Sequence, residues 1–268
     1  SMMNAHRQRC RSDHKSFRTF AWSLCRPLLA TFFASILSAS VANSWSLVVC
    51  ADADNLPYSS QTSAGFENEI AEIIADELGA RLEYIWIDSP MPGAQRLHLL
   101  EGQCDMLMAA ADGQSGYETS HPYYTSSYVF VQRADHPQQI ESYNDAALRE
   151  MRVGSLVPEG GRFSPPMQAL VGRGLGDNHV GFVASRTSGE PARALFEALR
   201  VGDIDLAIAW GPIAGYEAAR ESIEISVRPV QPQIDAPFTP MYAAISAAFR
   251  PGDIRLTDRV TEALARRW

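Results

Sequence analysis

Residues 51–60, ADADNLPYSS, set two carboxylates, an amide and a phenol close together as Asp52, Asp54, Asn55 and Tyr58. Such a cluster can hold a polar ligand or a polar patch of a partner. It can also close a strand as an Asx-rich turn, because Asp and Asn side chains bond their own backbone. It is not an EF-hand: counting from Asp52, Pro57 stands where the loop glycine is required and Ser63 where the terminal glutamate is required. Glu67 and Glu69 follow in the first turn of an expected helix, where the dipole favours acids, and Glu67 is also a candidate general base. Further along, Ser155 precedes a PEGG turn, and Arg186 and Thr187 precede a second expected helix. Hydroxyls, an arginine and helix-start N–H groups can hold an anion, while ordinary N-capping explains the same residues. Trp210 ends an apolar run just before Gly211 and Pro212. There it can stack on a planar ligand, plug a cleft or pack between domains. No Gly-x-Ser-x-Gly, His-Glu-x-x-His or phosphate loop is present. His98, His121, His136 and His179 are scattered, and Glu67 has no second acid–base group at a defined spacing. The chain therefore reads as a non-enzyme that binds no metal and no cofactor.

Charge and cysteine usage narrow the setting. Residues 1–26 carry Arg7, Arg9, Arg11, Lys15, Arg18 and Arg26 against Asp13 alone, and the apolar run LLATFFASILSASVA follows. That run is short for a membrane span. Ser40 and Ala42 then occupy the small-residue positions of a cleavage site, so residues 1–42 read as a secretory signal peptide cut near Ala42 and the protein as periplasmic. Removing them takes six of the 23 basic and one of the 31 acidic residues, leaving 17 arginines against 30 acids, a net charge near −13. Nucleic acid and anionic lipid are poor partners for such a body, whereas a basic protein is permitted. Cys50 and Cys104 are the two cysteines left after cleavage. In an oxidising compartment they form one disulfide, or else two buried thiols.

These groups need elements to position them. SLVVCA (46–51) reads as a buried strand. Phe66, Ile70, Ile73, Ile74 and Leu78 recur at helical spacing with Glu69, Glu72 and Asp76 opposite, and Gly79 stops the helix. RLEYIWI (81–87) is the next strand, so a right-handed βαβ unit opens the fold. AQRLHLLEGQCDMLMAA repeats helix and strand, and the pattern restarts at MRVGSL (151–156). YVFVQR (128–133) and ISVRPV (225–230) are expected to cross between two units, and the terminal strand and helix return to the first. The expectation is an α/β fold of two doubly wound lobes joined by two hinge strands around a central cleft. Its first lobe would be 46–130 plus 231–268 and its second 131–230. Ligands in such sheets sit at the carboxyl ends of the strands.

GFENEIAEIIADELGA, LLEGQCDMLMAA, HPYYTSSYVFV and ALRVGDIDLAIAW, in that order, resemble the periplasmic solute-binding proteins of the amino-acid type. That resemblance implies the periplasmic binding protein type II fold. Amino-acid binders usually carry an arginine after the third strand, where this chain has ADGQSGYETS, and an acid near the place of Trp210, Gly211 and Pro212. Zwitterion recognition needs both groups, so an amino acid is not the expected ligand. Together with VCADADNLPYSS, SPPMQALVGRG and DLAIAWGPIAGY, the motifs resemble the J proteins of methanol-oxidation systems, the MxaJ/XoxJ type. The resemblance implies a non-catalytic accessory protein, monomeric, that partners a pyrroloquinoline-quinone (PQQ)-dependent methanol or alcohol dehydrogenase or its cytochrome c. Cys50 and Cys104 match that family's cysteine pair. Two alternatives stand beside it: the binding component of an ABC importer for a small polar solute, and a cleft enzyme such as a dehydratase with Glu67 as base.

Overall fold

The computed structural model describes residues 45–267 except 90, 92, 159, 161–162, 186–187 and 221–223. The expected signal peptide, Arg186 and Thr187 therefore lie outside the described residues. In chain order the main elements are β1 (Ser46–Asp52), α1 (Phe66–Leu78), β2 (Arg81–Ile87), α2 (Ala94–Leu100), β3 (Met106–Ala111) and β4 (Tyr124–Arg133). There follow β5 (Val153–Val157), α3 (Pro165–Val171), β6 (His179–Val183), α4 (Glu190–Val201), β7 (Leu206–Trp210) and α5 (Gly211–Arg220). β8 (Ile225–Pro229), β9 (Tyr242–Phe249) and α6 (Ile254–Ala265) complete the fold.

The strands join in the order β2-β1-β3-β9-β4-β7-β5-β6, with β8 paired to β4. β1 runs parallel to β2 and β3, and β5 runs parallel to β7 and β6. β9 enters antiparallel between β3 and β4. β4 is long enough to serve both ends: its first residues pair with β9 and its later ones with β7 and β8. Two α/β halves thus share one strand.

Apolar spacing explains which faces close. α1 turns Ala71, Ile74 and Ala75 inward and leaves Glu69, Glu72 and Asp76 in solvent. Together with α6 it covers Leu47, Val49, Met106 and Phe249 of the first half. Each such side chain, fully buried, contributes about 1.5–3 kcal/mol. In the second half Leu148, Leu170, Leu206 and Ile208 pack on one face of the strands. Leu195, Phe196, Leu199 and Ala207 pack on the other. Cys50 on β1 and Cys104 just before β3 are disulfide-bonded, with Cα atoms 5.7 Å apart. Their parallel strands are neighbours in the sheet, which brings the two within bridging distance. Among the described residues no helix is long and apolar enough to cross a membrane.

Candidate functional site

The carboxyl ends of β1 and β3 and the start of α1 enclose a cavity of about 280 Å³. Asp52, Asn55, Tyr58 and Glu67 all line it, as does Cys50. The 51–60 loop is held down by its own bonds. Asp54–Asn55 pairs antiparallel with Ser59–Ser60, the Ser59 hydroxyl donates to the Asp52 carbonyl at 2.8 Å, and Asn55 Nδ2 donates to Asp52 Oδ2 at 3.3 Å. Asp52, Asn55 and Tyr58 thus belong to this bonded loop and line the cavity at once. Gly65 lets this loop lie against the helix start: the Phe66 and Glu67 amides donate to the Pro57 and Tyr58 carbonyls, each at 3.0 Å.

Asn68 fixes the floor. Its Oδ1 accepts from the Ser60 and Gly65 amides at 3.0 and 3.1 Å, which settles the orientation of the side-chain amide. Nδ2 then faces the other way, buried near the Tyr84 hydroxyl, and neither atom makes a well-formed hydrogen bond. Both residues line the cavity. Such groups normally find a partner, and leaving one unmet costs about 1–3 kcal/mol.

The wall opposite carries a bulge. Ala110 pairs with Ser246 and Leu107 with Ala248, so β3 holds one residue more than β9 between them. Ala109, within the bulge, has φ +61°. That left-handed conformation costs an alanine about 1–2 kcal/mol. It turns the Ala109 N–H toward Tyr123 Oη at 2.7 Å, and the Tyr123 hydroxyl in turn donates to Glu67 Oε1 at 3.0 Å. Burial, then the Glu67 charge, pushes the Tyr123 phenol up. The same two causes push Tyr124 up to about 12. Burial also raises Tyr58, and it raises Tyr84 against an opposing pull from the nearby Asn68 amide. These phenols stay protonated and remain donors at any physiological pH. The cavity wall therefore offers two carboxylates, phenols and amides, and no arginine or lysine among the residues that line it. It can receive N–H and O–H donors and disfavours a ligand carboxylate.

Other expected site residues lie elsewhere. Asp54 is exposed and does not line the cavity. Ser155 is buried in β5, where its Oγ shares a hydrogen bond with His179 Nε2 at 2.8 Å. Trp210 packs edge-to-face on Tyr128, ring centroids 5.2 Å apart, and against the core of the first half. The Glu190 amide at the start of α4 is capped by the Ser188 hydroxyl at 3.1 Å. Asn68, Tyr84, Gln95, Gln114 and Tyr117 line the cavity without having been singled out from the sequence. The signal available for Asn68 was its place three residues after Gly65, where a side chain can bond back to a helix start. Arg96 on α2, itself exposed, lies over the Tyr117 ring at 5.0 Å. It does not line the cavity.

The sequence profile of the bacterial extracellular solute-binding proteins, family 3, matches residues 47–267. Protein MoxJ of Methylorubrum extorquens is 30% identical over 223 residues, spanning 78% of this chain and 72% of MoxJ. Among solved structures, MxaJ from Methlophaga aminisulfidivorans superposes with a TM-score of 0.73 at 29% identity, covering 82% of this chain and 93% of MxaJ. The periplasmic binding protein XoxJ from Methylobacterium extorquens AM1 gives 0.63 at 27% identity, covering 82% of this chain and 91% of XoxJ. The two halves sharing β4 are the two lobes of the periplasmic binding protein type II fold. The chain belongs to family 3 of the bacterial extracellular solute-binding proteins and, within it, to the MoxJ proteins.

Proposed function

We propose that this chain is a non-catalytic periplasmic accessory protein that binds a PQQ-dependent methanol or alcohol dehydrogenase and assists its maturation or activation. The observation that carries the reading is the cavity wall: two carboxylates and no cation line it, where an amino-acid importer needs an arginine. Kinship with MoxJ and MxaJ supports the link to methanol oxidation. The test is affinity capture from the source organism's periplasmic extract on immobilised protein beginning at residue 43, read by mass spectrometry. Recovery of the quinoprotein dehydrogenase or its cytochrome c is the expected result. Recovery of importer membrane components alone would overturn it.

A second reading, binding of a small polar solute that is not an amino acid, is favoured by one observation. Asn68 Nδ2 and the Tyr84 hydroxyl, close to each other at the cavity wall, have no well-formed hydrogen bond. Thermal melts with polyols, amides and amines test it, because a solute that binds the native state raises Tm with its concentration over its Kd. A solute that stabilises the wild type but not Asn68→Ala would support this reading; a panel without effect ends it. The dehydratase alternative requires Glu67→Gln to abolish a turnover.

A further inference from the structure

We propose that the hairpin at residues 234–240 is a docking finger for a basic partner protein, with Phe238 entering an apolar pocket of that partner. This inference rests on the accessory reading above. Ile234–Asp235 pairs antiparallel with Thr239–Pro240, and Phe238 lies in the turn at 89% exposure. Residues 231–242, QPQIDAPFTPMY, hold a single charge in a chain that is 20% charged. That charge, Asp235, is only 6% exposed. Both its oxygens accept from Arg173, Oδ1 from Nη2 at 2.6 Å and Oδ2 from Nη1 at 2.9 Å. What the hairpin shows to solvent is uncharged, with Ile234, Pro237, Phe238, Pro240 and Tyr242 all exposed. Depletion of charge with enrichment of aromatics is the composition of an interface core.

The hairpin is also built to stay in place. Arg173 is itself held by Asn144 Oδ1 at 2.8 Å and the Ala169 carbonyl at 2.9 Å, over the Tyr143 ring. The Met241 amide donates to the Gln233 carbonyl at 2.8 Å and closes the base, and Pro232, Pro237 and Pro240 fix φ along the segment. A finger already ordered loses little entropy on docking. Charge selects the occupant. With 17 arginines against 30 acids from residue 43 onward, a second copy and an anionic bilayer are both repelled, while a basic protein surface is attracted.

The experiment measures binding of protein beginning at residue 43 to the purified quinoprotein dehydrogenase and to its purified cytochrome c, by calorimetry at low salt. Wild type, Phe238→Ser and the control Phe163→Ser, an exposed aromatic elsewhere, are compared. Phe238→Ser is expected to bind about 30-fold more weakly, and the control within about threefold of wild type. Because Phe238 is so exposed, its Tm should stay within about 2 °C of wild type, which separates lost docking from lost folding. Equal binding by Phe238→Ser overturns the docking finger and leaves the accessory reading standing. Failure of the wild type to bind either protein overturns both. A wild-type dimer in sedimentation that Phe238→Ser dissolves would identify a second copy as the occupant and overturn the basic partner.

Discussion

A β-carbon built on Gly65 falls 2.0 Å from the Tyr58 carbonyl oxygen and 2.6 Å from the Ser59 nitrogen, both backbone atoms that cannot swing aside. Gly65→Ala should therefore destabilise the protein by about 2–4 kcal/mol, as overpacking against fixed atoms does. Gly79, at φ +63° with nothing within 4 Å of an added β-carbon, makes the comparison: Gly79→Ala should cost about 1 kcal/mol. Urea melts of the two variants check the ordering, and equal losses would mean that the loop yields. His179 gives a pH dependence with a definite sign. Burial holds its imidazole below the usual value, so the native state binds fewer protons than the unfolded chain near pH 6. Its contribution is complete above about pH 6.5 and is lost as pH falls below that value. Asp205, where Arg152 outweighs the opposing effect of burial, and Asp235, held down by Arg173, add a second loss below about pH 4. Tm between pH 7 and 5.5 should fall for the wild type and flatten for His179→Gln; an unchanged slope would assign the fall to other groups.

At the scale of elements, the disulfide fastens β1 to the start of β3 behind the cavity, with both cysteines buried. It spans 54 residues, and the chain-entropy argument gives about 4 kcal/mol for a loop of that size. Thiol counting in the denatured, unreduced protein should find none. The double variant Cys50→Ala, Cys104→Ala should lose about 2–5 kcal/mol by urea melt. The regular elements were legible because periodicity states them: Ile70, Ile74 and Leu78 inward, Gly79 as the stop, RLEYIWI as the partner strand. The cavity was half legible. Asp52, Asn55, Tyr58 and Glu67 announce themselves by type, but Tyr84 meets Asn68 only through the pairing of β1 with β2. The bulge at Ala109 left no mark, since MLMAAA contains no glycine or asparagine to signal a positive φ. The 234–240 hairpin was silent for the opposite reason: its prolines and isolated apolar residues follow neither a helical nor an alternating period.

For the whole molecule, net charge and the shared strand set the behaviour. A partner recruited by an acidic body should bind more weakly as salt screens the attraction, by about tenfold or more in association rate between 0.05 and 0.5 M NaCl. Stopped-flow association with the purified dehydrogenase measures this, and a salt-independent rate would place recognition wholly in apolar contacts. We propose that the lobes divide at 130/131 and 230/231. Since β4 pairs with strands of both lobes, any rotation between them must flex that strand beside Tyr128, against which Trp210 packs. Loss of that packing in Trp210→Ala should loosen the lobes, seen as faster amide exchange in residues 124–133 than in β1.

The placement of β9 carries a consequence for the order of synthesis. This strand, near the end of the sequence, is an interior strand of the first lobe, between β3 and β4. A nascent chain that has not yet emitted residues 242–249 has nothing to fill that gap, whatever it has already formed upstream. Its first half must wait for its last segment. The sheet of the first half is thus completed only after every strand of the second has been synthesised.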